Sequence, residues 1–420
     1  MTTQIKLQTE EYKETELGLL PKEWEVKNFK NCIIKQRVNI GKIKQQKYKK
    51  IGKFPVVDQG QNLIAGYWDD EKDVYQGDLP IIIFGDHTRI IKFIDFLFVV
   101  GADGTKVLLP NTSVIFPRFF YYALLTLKIP SRGYNRHYSL LREKKIPLPP
   151  LPEQKSIAFV LSTIQTAKEK TEQVIKATKE LKKSMMKHLF TYGPVSLEEA
   201  EKVKLKETEI GMIPEEWDIK KWGEIGKFQY GYTETASTSE IGPKFLRITD
   251  IDLSSNQINW FSVPYCKISN EDYSKYSLRN GDILIARIGA TTGKTCMITE
   301  CPKSVFASYL IRFTIKRDNA NPQFVYYFTI SEKYWKQINA GKEGKLKKGV
   351  NSNQLNKFLI SLPPLPTQQK IASILSVIDE KIQAEENKKK ALEDLFKSML
   401  HNLMTAKIRV KDLNVEVENV

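Results

Sequence analysis

The amino-acid sequence predicts an α+β protein in which two globular domains are separated by a pair of long antiparallel helices, a coiled coil, with an internal pseudo-twofold repeat. Three observations carry this. Two motifs each occur twice in the same order, the second of them opens an apolar pattern at helical spacing both times, and the strand-like runs are short and never alternate with helices long enough for a doubly wound parallel sheet. A chain of 420 residues also exceeds what one core ordinarily supports.

Eleven positions from Glu14 to Trp24, Glu-Thr-Glu-Leu-Gly-Leu-Leu-Pro-Lys-Glu-Trp, return without a gap as Glu207 to Trp217, 193 residues later. Leu148-Pro149-Pro150-Leu151-Pro152-Glu153-Gln154 with Ile157-Ala158 returns as Leu362-Pro363-Pro364-Leu365-Pro366-Thr367-Gln368 with Ile371-Ala372, displaced by 214, and the same displacement carries Lys183-Ser184-Met185 onto Lys397-Ser398-Met399. Between these anchors little is shared beyond Gly77-Asp78-Leu79 and Gly281-Asp282-Ile283. The frame is duplicated and its contents differ.

After each Pro-rich stretch, apolar residues recur at helical spacing: Ile157, Val160, Leu161, Ile164, Ala167, Val174, Leu181, Met185 and Leu189, then Ile371, Ile374, Leu375, Ile378, Ile382, Leu392, Leu395, Met399 and Leu403. Each pattern predicts a helix of about 40 residues, roughly 60 Å long, with Pro152 and Pro366 in the tolerant first turn. A stripe of this length needs a partner, and the other copy is the economical one, so the helices are expected to pair antiparallel and to hold the domains at opposite ends. Thr171 and Thr178 interrupt the heptads, which keeps open two separate helices folded onto their own domains.

The globular segments, about 20–147 and 214–361, read as mixed. Runs such as 79–84, 96–100, 282–287 and 309–313 have strand character, and helices are expected near 117–128 and 322–338.

Lys and Arg (65) outnumber Asp and Glu (49), a formal net charge of +16 that favours an anionic partner, with nucleic acid foremost. The first residues lack the apolar core of a signal peptide and no run spans a membrane, so a cytoplasmic location is expected. Four cysteines (Cys32, Cys266, Cys296, Cys301) and four scattered histidines (His87, His137, His188, His401) offer no metal spacing, and the thiols read as reduced and structural. Gly289-Ala290-Thr291-Thr292-Gly293-Lys294-Thr295 resembles a phosphate-binding loop but has three residues between its glycines where four are needed. It reads as a turn after a strand with Lys294 available to phosphate. No dinucleotide fingerprint or amino-methyltransferase signature occurs, so no resident chemistry, cofactor or metal is expected.

The doubled Leu-Pro-Pro-Leu-Pro motif running into a helix, with the doubled Gly18–Trp24 and Gly211–Trp217 segments, closely resembles the specificity subunits of type I restriction-modification systems over essentially the whole chain. The resemblance implies a non-catalytic subunit with target-recognition domains at 1–147 and 214–361, helical regions at 148–192 and 362–408, a linker at 193–213 and a tail at 409–420. Each domain would read one half of a bipartite, asymmetric site in double-stranded DNA, and the helices would space the domains and dock two methyltransferase subunits. Restriction subunits would join in the full complex, with S-adenosylmethionine, ATP and magnesium on those partners. Thr367 in place of Glu153 departs from the repeat and weakens the acidic start of the second helix. A coiled-coil docking adapter without DNA specificity is the alternative, and a nucleotide hydrolase using 289–295 is a third class.

Phosphate contact needs Lys, Arg or exposed N–H groups, and base reading needs Arg, Lys, Asn, Gln, Ser or Thr on defined loops. In the first domain these are Gln59, Gln61 and Asn62, then His87, Thr88 and Arg89, then Arg132, Tyr134, Asn135, Arg136 and His137. In the second they are Arg247, Arg287, Thr291, Thr292 and Lys294, then Lys342, Lys345, Lys347 and Lys348 with Asn351 and Asn353.

Overall fold

A computed structural model of the chain describes residues 11–34, 41–102, 104–131, 133, 135–252, 257–340 and 349–413. The chain forms two compact units, one of residues up to Glu172 with those from Asn387 onward, the other Gln173–Glu386.

In the first unit the Glu14–Trp24 motif is a hairpin. Tyr12–Thr15 pairs antiparallel with Gly18–Pro21, Gly18 makes the turn at φ 100°, and the Thr15 hydroxyl donates to the Gly18 carbonyl at 2.7 Å. The left-handed backbone is what demands glycine there. The hairpin delivers Trp24, fully buried, to the core.

The central sheet of this unit has four antiparallel strands: β1 (Ile33–Ile34), β2 (Ile81–Gly85), β3 (Ile91–Ile94) and β4 (Thr105–Pro110), in the order β1-β4-β2-β3. Every residue of β2 is buried, as expected of a central strand covered on both faces. Helix α1 (Pro117–Thr126), with proline in its first turn, and the short α2 (Tyr138–Arg142) lead to the strand Lys145–Leu148, which pairs with Glu25–Asn28. Helix α3 (Leu151–Tyr192) then begins at the Pro-rich motif. Its Ile157, Ala158 and Leu161 enter one core with Trp24, Phe29, Phe119 and Phe120, which is why the Ile-Ala pair belongs to the repeated motif.

The second unit repeats this frame. Leu205–Lys206 pairs with Ile213–Pro214, Gly211 turns at φ 98°, and Thr208 donates to the Gly211 carbonyl at 2.6 Å. The segment 193–213 thus contains this strand pairing and a one-turn helix, Leu197–Ala200, capped by Ser196. Strands β5 (Gly226–Tyr230), β6 (Ile283–Ala286), β7 (Thr295–Met297) and β8 (Leu310–Ile315) form an antiparallel sheet in the order β5-β8-β6-β7, the same as in the first unit. Helices α4 (Pro322–Thr329) and α5 (Glu332–Ala340) replace the single helix expected at 322–338. Ser331 interrupts it, its hydroxyl donating to the Phe328 carbonyl at 2.6 Å and so competing with the helical ladder. Helix α6 (Ser352–Asn356) precedes Leu359–Leu362, paired with Asp218–Lys221. Helix α7 (Leu365–Met404) follows, and its Ile371, Ala372 and Leu375 join a core with Trp217, Trp222 and Phe324.

The two long helices pack antiparallel. In the second unit Lys179 meets Glu386 at 2.7 Å and Lys182 meets Asp379 at 2.6 Å, and in the first unit Glu172 meets Lys389 at 3.0 Å. The seam differs from the expected stripe. Thr171 and Ile175 are buried, whereas Val174 (40% exposed) and Leu181 (52%) face outward. Seam positions spaced by about 3.5 residues from Ile164 fall on 171 and 175, and the Thr171 hydroxyl is satisfied by the Ala167 carbonyl at 2.8 Å, so a threonine fits where a break was expected.

All four cysteines are free, and burial pushes the thiols of Cys32 and Cys266 up to about 11 and that of Cys296 up to about 12, which keeps them protonated. Among the described residues no group of side chains suits a metal ion, and no helix is long and apolar enough to cross a membrane.

Candidate nucleic-acid interface

In the first unit three segments distant in sequence converge at the turn between β2 and β3. The Gln59 carboxamide oxygen accepts the His87 N–H at 3.1 Å, and the Gln59 carbonyl accepts the Thr88 hydroxyl at 2.6 Å. The third segment is tied in by Asp86, whose carboxylate accepts the N–H groups of His137 (3.0 Å) and Tyr138 (2.8 Å) while its carbonyl faces His137 Nδ1 at 2.9 Å. Arg89, held at φ 62°, donates to the Ile129 carbonyl at 2.9 Å, so the loop before α2 is held from both sides.

The loop carrying Gln59, Gln61 and Asn62 is fixed from beneath by Lys92. This buried lysine donates to the carbonyls of Asp58 (2.7 Å) and Asn62 (2.6 Å) and lies 3.8 Å from the Asp58 carboxylate. Burial lowers its ammonium from the usual value against the pull of Asp58. With Lys92 beneath, Gln61 and Asn62 remain exposed, as do Arg89, Asn135 and Arg136, while His87 and Gln59 are half-buried.

The second unit builds its counterpart on the turn between β6 and β7. The Arg287 carbonyl accepts the Val350 N–H at 2.9 Å, just as the Asp86 carbonyl accepts that of His137 at 2.8 Å. In each unit the residue just after the central strand therefore anchors the segment leading to the last strand. The Arg287 guanidinium lies 4.8 Å from the Tyr230 ring centroid and donates to the Ser308 carbonyl at 3.3 Å. The Tyr230 hydroxyl accepts the Ser352 N–H at 3.1 Å. Burial alone would raise the Tyr230 phenol, but the Ser352 donors and the charge of Arg287 outweigh it and hold the group below its ordinary value. Lys294 is exposed and Thr291 half-buried on the same turn, and Asn351 and Asn353 are exposed at the start of α6. Asn351 also caps α6, its side-chain oxygen accepting the Gln354 N–H at 2.9 Å.

Two of the expected contact residues are buried. His137 is fully buried with its ring committed to Asp86, and Thr292 is 1% exposed with its hydroxyl donating to the Gly289 carbonyl at 2.7 Å. Both hold their turns from within. Arg247 is committed differently from Arg287, its fork pairing with Asp250 at 3.0 and 2.7 Å. Arg132, Tyr134, Lys342, Lys345, Lys347 and Lys348 lie outside the described residues. Residues 289–295 lead from one antiparallel strand to the next through a single 3-10 turn, Gly289–Thr291, and not into the α-helix that a phosphate-binding loop requires.

Asp86, Lys92 and Tyr230 were not among the expected residues. Lys92 had one signal, a charge in the apolar strand Ile91–Ile94, while Asp86 and Tyr230 are ordinary polar residues until the sheet brings their partners to them.

Two copies of one α+β frame, each presenting polar side chains on an unlike turn at the same topological place, define a duplicated recognition protein. The family model described as the type I restriction modification DNA specificity domain matches residues 21–180 and again 214–394, and the chain belongs to this family, whose specificity subunits are non-catalytic. The type I restriction enzyme MjaVIII specificity subunit of Methanocaldococcus jannaschii is 33% identical over 64% of this chain and 63% of its own length, so that match spans just under two thirds of the relative. The putative MjaX specificity subunit of the same organism is 27% identical over 96% of this chain and 97% of its own length. Among solved structures, the S subunit of a type I restriction-modification system from M. genitalium has the same fold, with a TM-score of 0.62 at 15% identity over 90% of this chain and 96% of that one.

Proposed function

We propose that each domain reads one half of a bipartite, asymmetric site in double-stranded DNA, and that the paired helices space the domains and dock two methyltransferase subunits. The observation carrying this reading is the duplicated turn. The same sheet order and the same carbonyl anchor support Asp86–Ile90 in one unit and Arg287–Lys294 in the other, so one scaffold presents two different sets of donors. Unlike readers in a repeated frame select unlike half-sites.

The domain limits that follow are 1–147 and 214–361 for recognition, 148–192 and 362–408 for the helices, 193–213 for the linker and 409–420 for the tail. Contacts in the first domain come from Gln59, Gln61, Asn62, His87, Arg89, Asn135 and Arg136 with Arg132 and Tyr134. In the second they come from Arg287, Thr291, Lys294, Asn351 and Asn353, with Arg247 and Lys342, Lys345, Lys347 and Lys348. A helix of 42 residues is about 63 Å long, enough to separate two contacts by more than one turn of B-DNA, about 34 Å. Val174, Leu181 and Val377, exposed on the helices, support protein docking there. Restriction subunits join in the full complex, and S-adenosylmethionine, ATP and magnesium belong to the partner subunits, in the cytoplasm.

The test is to reconstitute the chain with its methyltransferase subunit and map methylated positions on random-sequence DNA. Two unlike specified segments flanking an unspecified gap are expected. A continuous or palindromic motif would overturn the reading.

A further inference from the structure

The two units retain the same glutamate–tryptophan pair but surround it differently. In the first, Arg409, just past the end of α7, donates to Glu153 at 2.8 and 3.0 Å and to Glu23 at 2.6 Å, with its guanidinium 5.9 Å from the Trp24 ring. The Trp24 indole N–H donates to Glu153 at 2.9 Å, which closes the clasp. The arginine is 9% exposed.

The repeat displacements put Glu216, Trp217 and Thr367 at the positions of Glu23, Trp24 and Glu153. The displacement of 214 that carries Thr191 onto Thr405 sets Val195 against Arg409 in sequence, and no arginine stands within residues 193–206. Both members of the buried ion pair are therefore replaced together, while the outer carboxylate and the indole remain. In that place the second unit has an open cleft of about 640 Å³, lined by Tyr192, Val195, Glu216, Trp217, Thr367 and Lys370 among others. Glu216 is exposed and has no hydrogen bond or ion pair among the described residues.

We infer that this cleft receives an arginine side chain of the methyltransferase subunit, completing in trans the clasp that Arg409 makes in cis. The inference rests on the partner reading above. The first unit shows what fills this place: a planar guanidinium spanning a carboxylate and an indole, a geometry that a lysine ammonium does not reproduce. Residues 1–10 and 414–420 contain no arginine. Thr367 leaves a hydroxyl acceptor where Glu153 stands, and the absence of a second buried carboxylate lets the cleft wait for its partner without an uncompensated charge.

Two variants test this, with the purified methyltransferase subunit titrated against the full chain by calorimetry. Val195→Arg combined with Thr367→Glu builds the clasp in cis and fills the cleft. Glu216→Gln removes the remaining carboxylate from a solvent-exposed position. Both are expected to weaken methyltransferase binding, the double variant by about tenfold or more, while the free chain melts no lower than the unsubstituted protein. Unchanged affinity in both variants would overturn the inference alone. A lower melting temperature of free Glu216→Gln would also overturn it, by showing that the chain itself fills the cleft. No binding by the unsubstituted chain would overturn the partner reading together with it.

Discussion

Gln154 and Gln368 make the same three hydrogen bonds. Each carboxamide oxygen accepts the N–H of the residue that precedes a Pro-started helix, Phe116 at 2.7 Å and Asn321 at 2.8 Å. Each nitrogen donates to the proline carbonyl five residues earlier, Pro149 or Pro363, at 2.8 Å, and more weakly at 3.3 Å to Val114 or Asn319. Both side chains are 1% exposed. The repeated Pro-rich motif is thus a buried clip that fastens each recognition domain to the first turn of its long helix.

Replacing either glutamine by leucine leaves a buried N–H and a buried carbonyl without partners, so Gln154→Leu should destabilise the first unit and Gln368→Leu the second by about 2–4 kcal/mol. Urea unfolding followed by hydrogen exchange resolves the two units. A loss spread equally over both would contradict the local role.

Arg409→Met should destabilise the first unit by about 2–4 kcal/mol, because Glu153 is left buried without its cation. Burial works to raise the Glu23 carboxyl, but the Arg409 guanidinium outweighs it and holds the group below its ordinary value of 4.5. The contribution of Glu23 is therefore present above that value and fades as the pH falls through the lowered one. Melting curves between pH 3 and 7, an interval of roughly the carboxylate range, should show this acid-side loss in the unsubstituted chain and not in Arg409→Met.

Lys333 sets a slope of the opposite kind. Its ammonium donates to the carbonyls of Phe190 (2.7 Å) and Met212 (2.6 Å) with no carboxylate paired to it among the described residues, and burial, helped by Lys336, pulls it down to about 8. Between that value and the free value of 10.5 the unfolded chain binds the additional proton, so the second unit gains stability as the pH rises through this window. Lys333→Met should flatten the rise in denaturant midpoints. An unaltered slope would assign it to another group.

For recognition, Arg287→Ala should weaken selection of one half-site and Arg89→Ala of the other, each by about tenfold or more if the side chain reads a base. A competition between DNAs altered in one half at a time separates the two. Equal loss across all sequences, with a shallower salt dependence, would assign the residue to phosphate contact instead.

The long helices and the twofold plan were legible because the repeat aligns without gaps over its motifs, and because Ile157-Ala158 and Ile371-Ala372 sit at core positions both times, whereas the sheet order was not, since strand pairing joins segments that no local pattern links. The recognition surface was less so. His137 looked like its exposed neighbours Asn135 and Arg136, and only the convergence of Asp86 from another strand shows that it points inward. The pairing of Glu153 with Arg409 spans 256 residues, and no local pattern encodes it. Leu181 and Val174 matched the helical period, yet a seam fixed by Ile175 leaves them outside.

The second unit is one uninterrupted stretch of chain, whereas the first is stitched from both ends, with Leu403, Met404, Ala406 and Val410 in its core. On the ribosome the later-made half therefore has all its parts before the earlier-made half does. A nascent product that stops near Glu386 would carry a finished second unit and an unfinished first one, so translation of the stretch from Asn387 through Val410 acts as the step that completes the first unit.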